Sequence, residues 1–380
     1  MTIPAITGVP TAVTAFVGAA QQGPTDLPVA VASGMVFTET FGSAVTPLSV
    51  AVSQFFNNSG EQALIVRVGT STVAGDDDVS APELERSARG LWALSSAAFN
   101  LLCIPSYAFG PDSDISARTR RAAVALCRRR RAFFVADPLS AWTTAAAVVT
   151  GSEGLDSAAW GLGHDDHAAV YWPRLLVVSP AGGATWSCAP SGALAGVMAR
   201  TDRRRGVWKS PAGPDGELRG VTALSVIIDD DEQAVLTSAG VNALRAFPGR
   251  GLVVWGARTL AGNDRAASDW KYIPVRRLSL YIEASIVEGT RWAASEPNGA
   301  AMWAELRRLV STFLDGLHRA GAFPGPTPRE AYFVKCDAQT TTAADIAAGQ
   351  THVVVGFAPV KPAEFVVLEV TVKTARPDDE

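Results

Sequence analysis

Residues 48–68 read LSVAVSQFFNNSGEQALIVRV. Leu48, Ala51, Val52, Phe55 and Phe56 recur at steps of three and four and share one helical face. Gly60 stands where such a helix would stop, and 63–68 is then short and apolar. A helix followed at once by a strand buried on both faces is the repeating unit of a layered α/β fold. The same alternation runs outward from it. Strands are expected at 12–17, 101–104, 132–136, 175–178, 222–228 and 251–256, and helices at 115–131 and 232–247, the second capped by Asp229 to Asp231. The fold class is α/β: a mixed, largely parallel sheet with helices on both faces.

Beyond 260–268, a polar small-residue stretch where a domain boundary is expected, the pattern changes. A helix at 276–293 and another at 300–320, with Trp303, Leu306, Val310, Phe313 and Leu317 on one face, come first; Asn298 is placed to cap the second and Gly321 to end it. Strands at 331–335 and 353–357 follow. The chain then runs through KPAEFVVLEVTVK at 361–373, in which Val366, Leu368, Val370 and Val372 fall on one face and Glu369, Thr371 and Lys373 on the other. This is a smaller α+β domain closed by a half-buried strand that needs a partner edge. The expected division is a short N-terminal arm at 1–11, an α/β domain at 12–264, the α+β domain at 265–360, and a linking strand and tail at 361–380.

Composition narrows the function. A net charge of −4 gives no basic field, which argues against nucleic acid or an anionic membrane as the main partner. At 18% the charged fraction lies below the roughly 25% usual for soluble domains, as expected of a surface made for contact with other chains. The four cysteines have no CxxC spacing, and the N-terminus has no basic, then apolar, leader; assembly in a reducing cytoplasm is expected.

Each chemical motif has a plainer reading. His164-Asp165-Asp166-His167 carries metal-ligand residue types but reads as a solvated loop; 75–86 also reads as a surface loop. Ser191 opens a helix, where a nucleophile or a cap can sit, and the cap is the commoner use. The arginine runs 128–131 and 203–205 could hold phosphates, but the first ends a helix, where cations complement the dipole, and both suit inter-subunit ion pairs better. No phosphate-binding glycine loop is present. No catalytic residue, metal site or cofactor is expected.

Several stretches resemble contractile tail sheath proteins, which cover the tube of contractile phage tails, tailocins and extracellular contractile injection systems. They are GVPTAVTAFVGAAQQGPTDLPVAV (8–31), FFNNSGEQALIVRV (55–68), RRRRAFFVADP (128–138), SGALAGVMARTDRRRGVWKSPAG (191–213), GVNALRAFPGRGLVVWGARTLAGND (240–264), KYIPVRRLSLYIEASIVEGTRWAASEPN (271–298) and VGFAPVKPAEFVVLEV (355–370). The resemblance implies a subtilisin-like topology without catalysis, and a C-terminal domain that faces an inner tube. It implies homo-oligomers, hexameric rings stacked helically, with an inner tube protein, a baseplate and a terminal cap as partners and no membrane in the resting state. Lys361, Pro362, Phe365, Val366, Leu368, Val370 and Val372 become the inter-subunit strand, and Glu305, Arg307, Arg308, Asp315 and Arg319 the tube-facing candidates. One departure is that the family's usual N-terminal arm is longer than Met1 to Thr7. The alternatives are a non-polymerising baseplate or cap paralogue and a subtilisin-like hydrolase.

Overall fold

The computed structural model describes residues 5–69, 72–178, 183, 185–360 and 366–375. Thr11–Arg276 form one compact unit; the residues before Thr11 and from Arg277 onward form a second.

The larger unit carries strands β1 (Thr14–Gly18), β2 (Val29–Val31), β3 (Ala63–Arg67), β4 (Leu101–Cys103), β5 (Phe133–Ala136), β6 (Ala168–Trp172), β7 (Leu175–Val178), β8 (Thr185–Cys188), β9 (Ala223–Leu224), β10 (Asn242–Phe247) and β11 (Gly251–Val254). Its helices are α1 (Gly34–Phe41), α2 (Pro47–Asn57), α3 (Asp76–Ser80), α4 (Pro82–Arg86), α5 (Ala117–Arg130), α6 (Ala145–Val149), α7 (Ser191–Arg205) and α8 (Asp230–Ser238). Eight strands form one sheet in the order β11-β10-β6-β5-β4-β1-β3-β2. It is parallel from β10 through β3, with Phe16 beside Ile65 and Cys103, and antiparallel only at β2 and β11. Alternate side chains serve two cores. Ala15 and Val17 join the cluster that holds α5 and α8, while Phe16 meets Phe55 of α2 edge-on at 5.5 Å.

On the α2 face, α7 comes so near that a Cβ on Gly192 would lie 2.1 Å from the Ala51 carbonyl oxygen, and one on Gly196 2.5 Å from that of Phe55. Two glycines four apart let the helix backbones touch, and no larger residue fits there.

The structure corrects several readings. Residues 242–247 are strand, not helix: α8 ends at Ser238, Gly240 takes a φ of 87° that a helix cannot continue through, and Asn242 to Arg245 are buried as in a central strand. β6, in the middle of the sheet, was not anticipated. β7 leaves that sheet and forms a separate antiparallel one between β8 and β9, because Pro173, having no N–H, interrupts the ladder after β6. Residues 75–86 fold into α3 and α4, with Asp76, Asp77 and Asp78 in the first turn of α3 and Pro82 at the first position of α4. Asp229 caps α8 as expected, with Glu232 completing a capping box.

The second unit holds most of α9 (Ile273–Gly289), then α10 (Ala300–Arg319), α11 (Pro328–Ala331), β12 (Tyr332–Lys335), α12 (Ala343–Ala347), β13 (Gln350–Phe357) and β14 (Val366–Lys373). Its sheet runs β12-β13-β14, all antiparallel. Asn298 does not cap α10. Its amide donates to the Gln350 carbonyl and accepts from Trp303 Nε1 and Thr351 Oγ1, each at 2.8 Å, tying the helix start to β13. Gly321, at a φ of 83°, stops α10 where expected.

Candidate functional site: a sealed crevice and an open strand edge

In a largely parallel α/β sheet the place for chemistry is the crevice beyond the carboxyl ends of the strands. Here those ends deliver Asp137, directly after β5, against the first residue of α7. The Asp137 carboxylate accepts from both the Ser191 N–H and the Ser191 Oγ, each at 2.9 Å. Burial pushes the Asp137 carboxyl up to about 6, against the pull of the Ser191 N–H and of Arg174. The nearby Cys103 thiol is held well above its ordinary range by burial, so it supplies no thiolate. Ser191 is wholly buried and its hydroxyl is spent on Asp137. A small space of about 20 Å³, room for about one water, lies between Pro47, Pro105, Phe109, Arg174 and Cys188, and neither Ser191 nor Asp137 lines it. Phe109 stands against Trp186 with ring centres 4.8 Å apart.

The 164–167 segment is a loop that is solvated at His164 and closes inward at His167. His167 is buried, its Nδ1 lies 2.6 Å from Asp166, and its Nε2 lies 2.7 Å from an Arg276 nitrogen. Arg276 only donates, so Nε2 accepts and the ring proton sits on Nδ1. Arg128 pairs with Asp165 at 2.7 Å. Burial pulls the Asp166 carboxyl up, but the His167 bond and the charges of Arg276 and Arg128 together hold it below its usual value. Asp165, Asp166 and His167 present ligand atoms within 4.8 Å of one another, yet both ring nitrogens are engaged and two guanidiniums already supply the positive charge. Its chemistry is that of an ion-pair knot.

Most of the two arginine runs is also engaged inside the chain. Arg129 pairs with Glu85 at 2.7 Å and lies over Trp92, Arg130 donates to the Ala97 carbonyl, Arg203 pairs with Glu61, and Arg205 pairs with Asp215. They fasten α5 and α7 to their neighbours, which replaces the inter-subunit reading for these partners. Residues 260–263 are buried, and Arg258 and Lys271 both pair with Asp264, so the polar stretch where a domain boundary is expected is pinned in place.

The closing strand has its partner within the chain. β14 pairs with β13 over its full length, from Val366 opposite Phe357 to Lys373 opposite Gln350. Leu368, Val370 and Val372 are buried, and Glu369, Thr371 and Lys373 are exposed. Glu369 reaches His352 on β13 at 2.8 Å. Gly356 admits the Phe333 ring, which would stand 2.1 Å from any Cβ there. Among the described residues the other side of β14 has no strand beside it. Lys361, Pro362 and Phe365 lie outside the described residues. The described part of the expected N-terminal arm is packed: Ile6 is buried against Gly289, Gly8 sits under Tyr281, and the Val9 N–H donates to Ser285 Oγ at 3.2 Å.

The polar side of α10 divides. Arg307 donates to the Cys336 carbonyl, and Asp315 accepts from Tyr332 at 2.6 Å, so both serve the fold. Arg308, paired with Glu305 along the helix, and Arg319 are exposed.

Comparison with known proteins gives a consistent picture. A family model described as the phage tail sheath protein central domain matches residues 77–260, and one described as the phage tail sheath C-terminal domain matches residues 265–373. The chain is similar to the helical sheath of the anti-feeding prophage in its contracted state, with 30% identity, a TM-score of 0.73, and coverage of 96% of this chain and 94% of that one. A chain of the same prophage's baseplate gives 29% identity and a TM-score of 0.72, covering 97% and 95%. The putative prophage major tail sheath protein of Pseudomonas aeruginosa strain UCBPP-PA14 is 27% identical over 220 residues, which is 52% of this chain and 53% of that protein. The match thus spans about half the length of that relative, and between 19% and 28% of the phage tail sheath proteins also matched.

Proposed function

Because this chain belongs to the phage tail sheath family, a component of phage tails and tail-like particles, we propose that it is a structural sheath subunit. It polymerises into a helical sleeve of stacked hexameric rings around an inner tube protein, between a baseplate and a terminal cap. Contraction of the sleeve drives the tube through a target envelope. The observation that carries this reading is the likeness, over nearly the whole of both chains, to a helical sheath in its contracted state.

The sealed crevice at Ser191 and Asp137 suits a protein without catalysis, cofactor or metal. The open side of β14 suits strand addition: main-chain hydrogen bonds fix a neighbour's strand and alternating side chains fix its register. Each such bond is worth about 0.5–1.5 kcal/mol net, so several hold a neighbour through a large rigid-body motion. Val366, Leu368, Val370 and Val372 then act either as the acceptor edge or, exchanged between copies, as the lent strand, with Lys361, Pro362 and Phe365 at its approach. The tube contact falls to the exposed charges of α10, Arg308 and Arg319 with Glu305, more than to Arg307 and Asp315. The sleeve is assembled in the cytoplasm.

The likeness to a baseplate chain favours a second reading, a sheath-fold component that stays in the baseplate and does not polymerise. Expression of the full chain with its inner tube protein separates the two. A sheath subunit coats the tube along its length; a baseplate component binds at one end or not at all.

A further inference from the structure

The closing strand β14 meets β13 through charged side chains at His352. This residue of β13 stands opposite Thr371 of β14. Its main chain faces the other way: the N–H donates to Thr341 Oγ1 at 3.1 Å, and the carbonyl accepts from Thr340 Oγ1 at 3.0 Å. His352 and Thr371 therefore share no main-chain bond, and such pairs bring cross-strand side chains closest. The Thr374 N–H donates to the Gly349 carbonyl at 2.9 Å, which sets the alternation and puts the bonded positions of β14 at Leu368, Val370 and Val372. At His352 it is the side chain that ties the two strands.

The imidazole meets a carboxylate at each nitrogen. Nδ1 lies 2.8 Å from Glu369 Oε1 on β14, and Nε2 lies 3.4 Å from Asp345 Oδ1 on α12. The Thr371 hydroxyl also stands 3.4 Å from Nδ1. Asp345 is fixed in its place, because its Oδ2 accepts from the Thr342 N–H at 2.8 Å and hydroxyl at 2.6 Å and leaves Oδ1 to the ring. Those Thr342 bonds first, and the His352 charge after them, hold the Asp345 carboxyl below its usual value. Asp337, in the turn that carries Thr340 and Thr341, is spent on the Gln339 N–H at 2.9 Å. Cations of the same sheet face are Lys373, diagonal to His352 on β14, and Lys335, which ends β12 over the Phe333 ring.

A neutral imidazole has one N–H and one lone pair, so between two carboxylates it attracts one and turns its lone pair on the other. Only the charged ring, with an N–H on both nitrogens, serves both. We propose that His352 is a proton-operated latch on β14: charged, it binds Glu369 and Asp345 together and holds the closing strand to β13 and α12; neutral, it lets one of them go, and the strand opens more easily. Histidine ordinarily changes charge between about pH 5 and 8, so the latch is closed at the acidic end of that range and loosened at the basic end. Its use rests on the assembly reading above: a strand that is to be lent to a neighbour is kept at home in acid and freed at neutral pH.

The test is amide hydrogen exchange of the dispersed full chain at about pH 5.5 and about pH 7.5, with each rate taken relative to an unstructured peptide at the same pH. Protection of the Val370 and Val372 amides, which face β13, is expected to fall about fivefold from the lower to the higher pH, the weight of one partly screened ion pair. The Phe333 and Lys335 amides of β12, in the same sheet but away from the latch, serve as the reference and should change far less. His352→Gln, which keeps hydrogen-bonding groups but no charge, should abolish the fall. Glu369→Gln, at an exposed position, should abolish it as well and answers the case in which the first variant folds poorly. No fall in the unaltered chain, or a fall that persists in either variant, overturns the latch. Sleeves built by a chain without this pH response overturn the latch alone; the response in a chain that never coats tubes upholds the latch and overturns the sleeve.

Discussion

At one edge of the eight-stranded sheet β11 is covered: the Gly213 and Leu218 N–H groups donate to Val254 and Leu252, and the Val254 N–H returns to Gly216, each at 2.8–2.9 Å. The other edge is β2, only three residues long. In the three-stranded sheet, β14 is an eight-residue edge strand with one side unpaired among the described residues. Short or covered edges prevent unwanted pairing, and a long open one invites it. The larger unit thus ends on short or covered edges, with Ser191 buried on Asp137 and most of its arginine runs paired within the chain, while the smaller sheet ends on a strand that has no strand beside it among the described residues.

Breaking the smaller sheet from within should have the largest effect. Val370→Asp places a carboxylate at a 2% exposed position facing Val353 and should destabilise the Arg277–Glu380 unit by roughly 3–5 kcal/mol. Calorimetry should show its transition lost or lowered, with that of Thr11–Arg276 retained; a single joint transition would mean the two sheets are not separable in stability.

In the larger unit the greatest lever is Asp137. Its folded value, about 6, lies above the unfolded 3.8, so the fold prefers the protonated carboxyl. This contribution to stability is fully present below about 3.8 and is lost as pH rises through about 6, up to about 3 kcal/mol in all. Asp137→Asn, which keeps an acceptor for the Ser191 N–H, should flatten the pH 4–7 stability profile. Equal slopes in urea melts of both proteins would contradict the assignment.

Gly192→Ala puts a methyl against the Ala51 carbonyl and should cost about 1–3 kcal/mol by forcing α2 and α7 apart. An unchanged melting temperature would mean the helices separate freely. The smallest effect on stability belongs to Arg308→Glu with Arg319→Glu, because both side chains are exposed. Tube co-sedimentation should nevertheless fall. Arg307 is left alone in that test because its bond to the Cys336 carbonyl belongs to the fold.

The sequence announces whatever depends on local period. The alternation of 366–373, the α10 stripe and the helix–strand unit at 48–68 are all visible because burial on one or both faces leaves a pattern of 2 or 3.6. What went unread depends on partners distant in the chain. Asn242 sits in a central strand because of β6, a neighbour about 70 residues away, with its amide on the Val170 carbonyl. His167 is buried because Arg276 comes back to it, and no local feature of 164–167 signals that. Asp137 was legible in hindsight: a lone carboxylate directly after an apolar strand, at the carboxyl end of the sheet, is placed to meet a helix start. Alternation also cannot say which chain supplies the neighbour of β14, and in this structure the same chain does.

The sleeve itself is tested most directly by electron microscopy of the purified full chain over a range of concentrations, with and without its inner tube protein. Hollow, transversely striated sleeves coating the tube along its length are the expected result. Dispersed particles at every concentration, and a tube left bare, would contradict it.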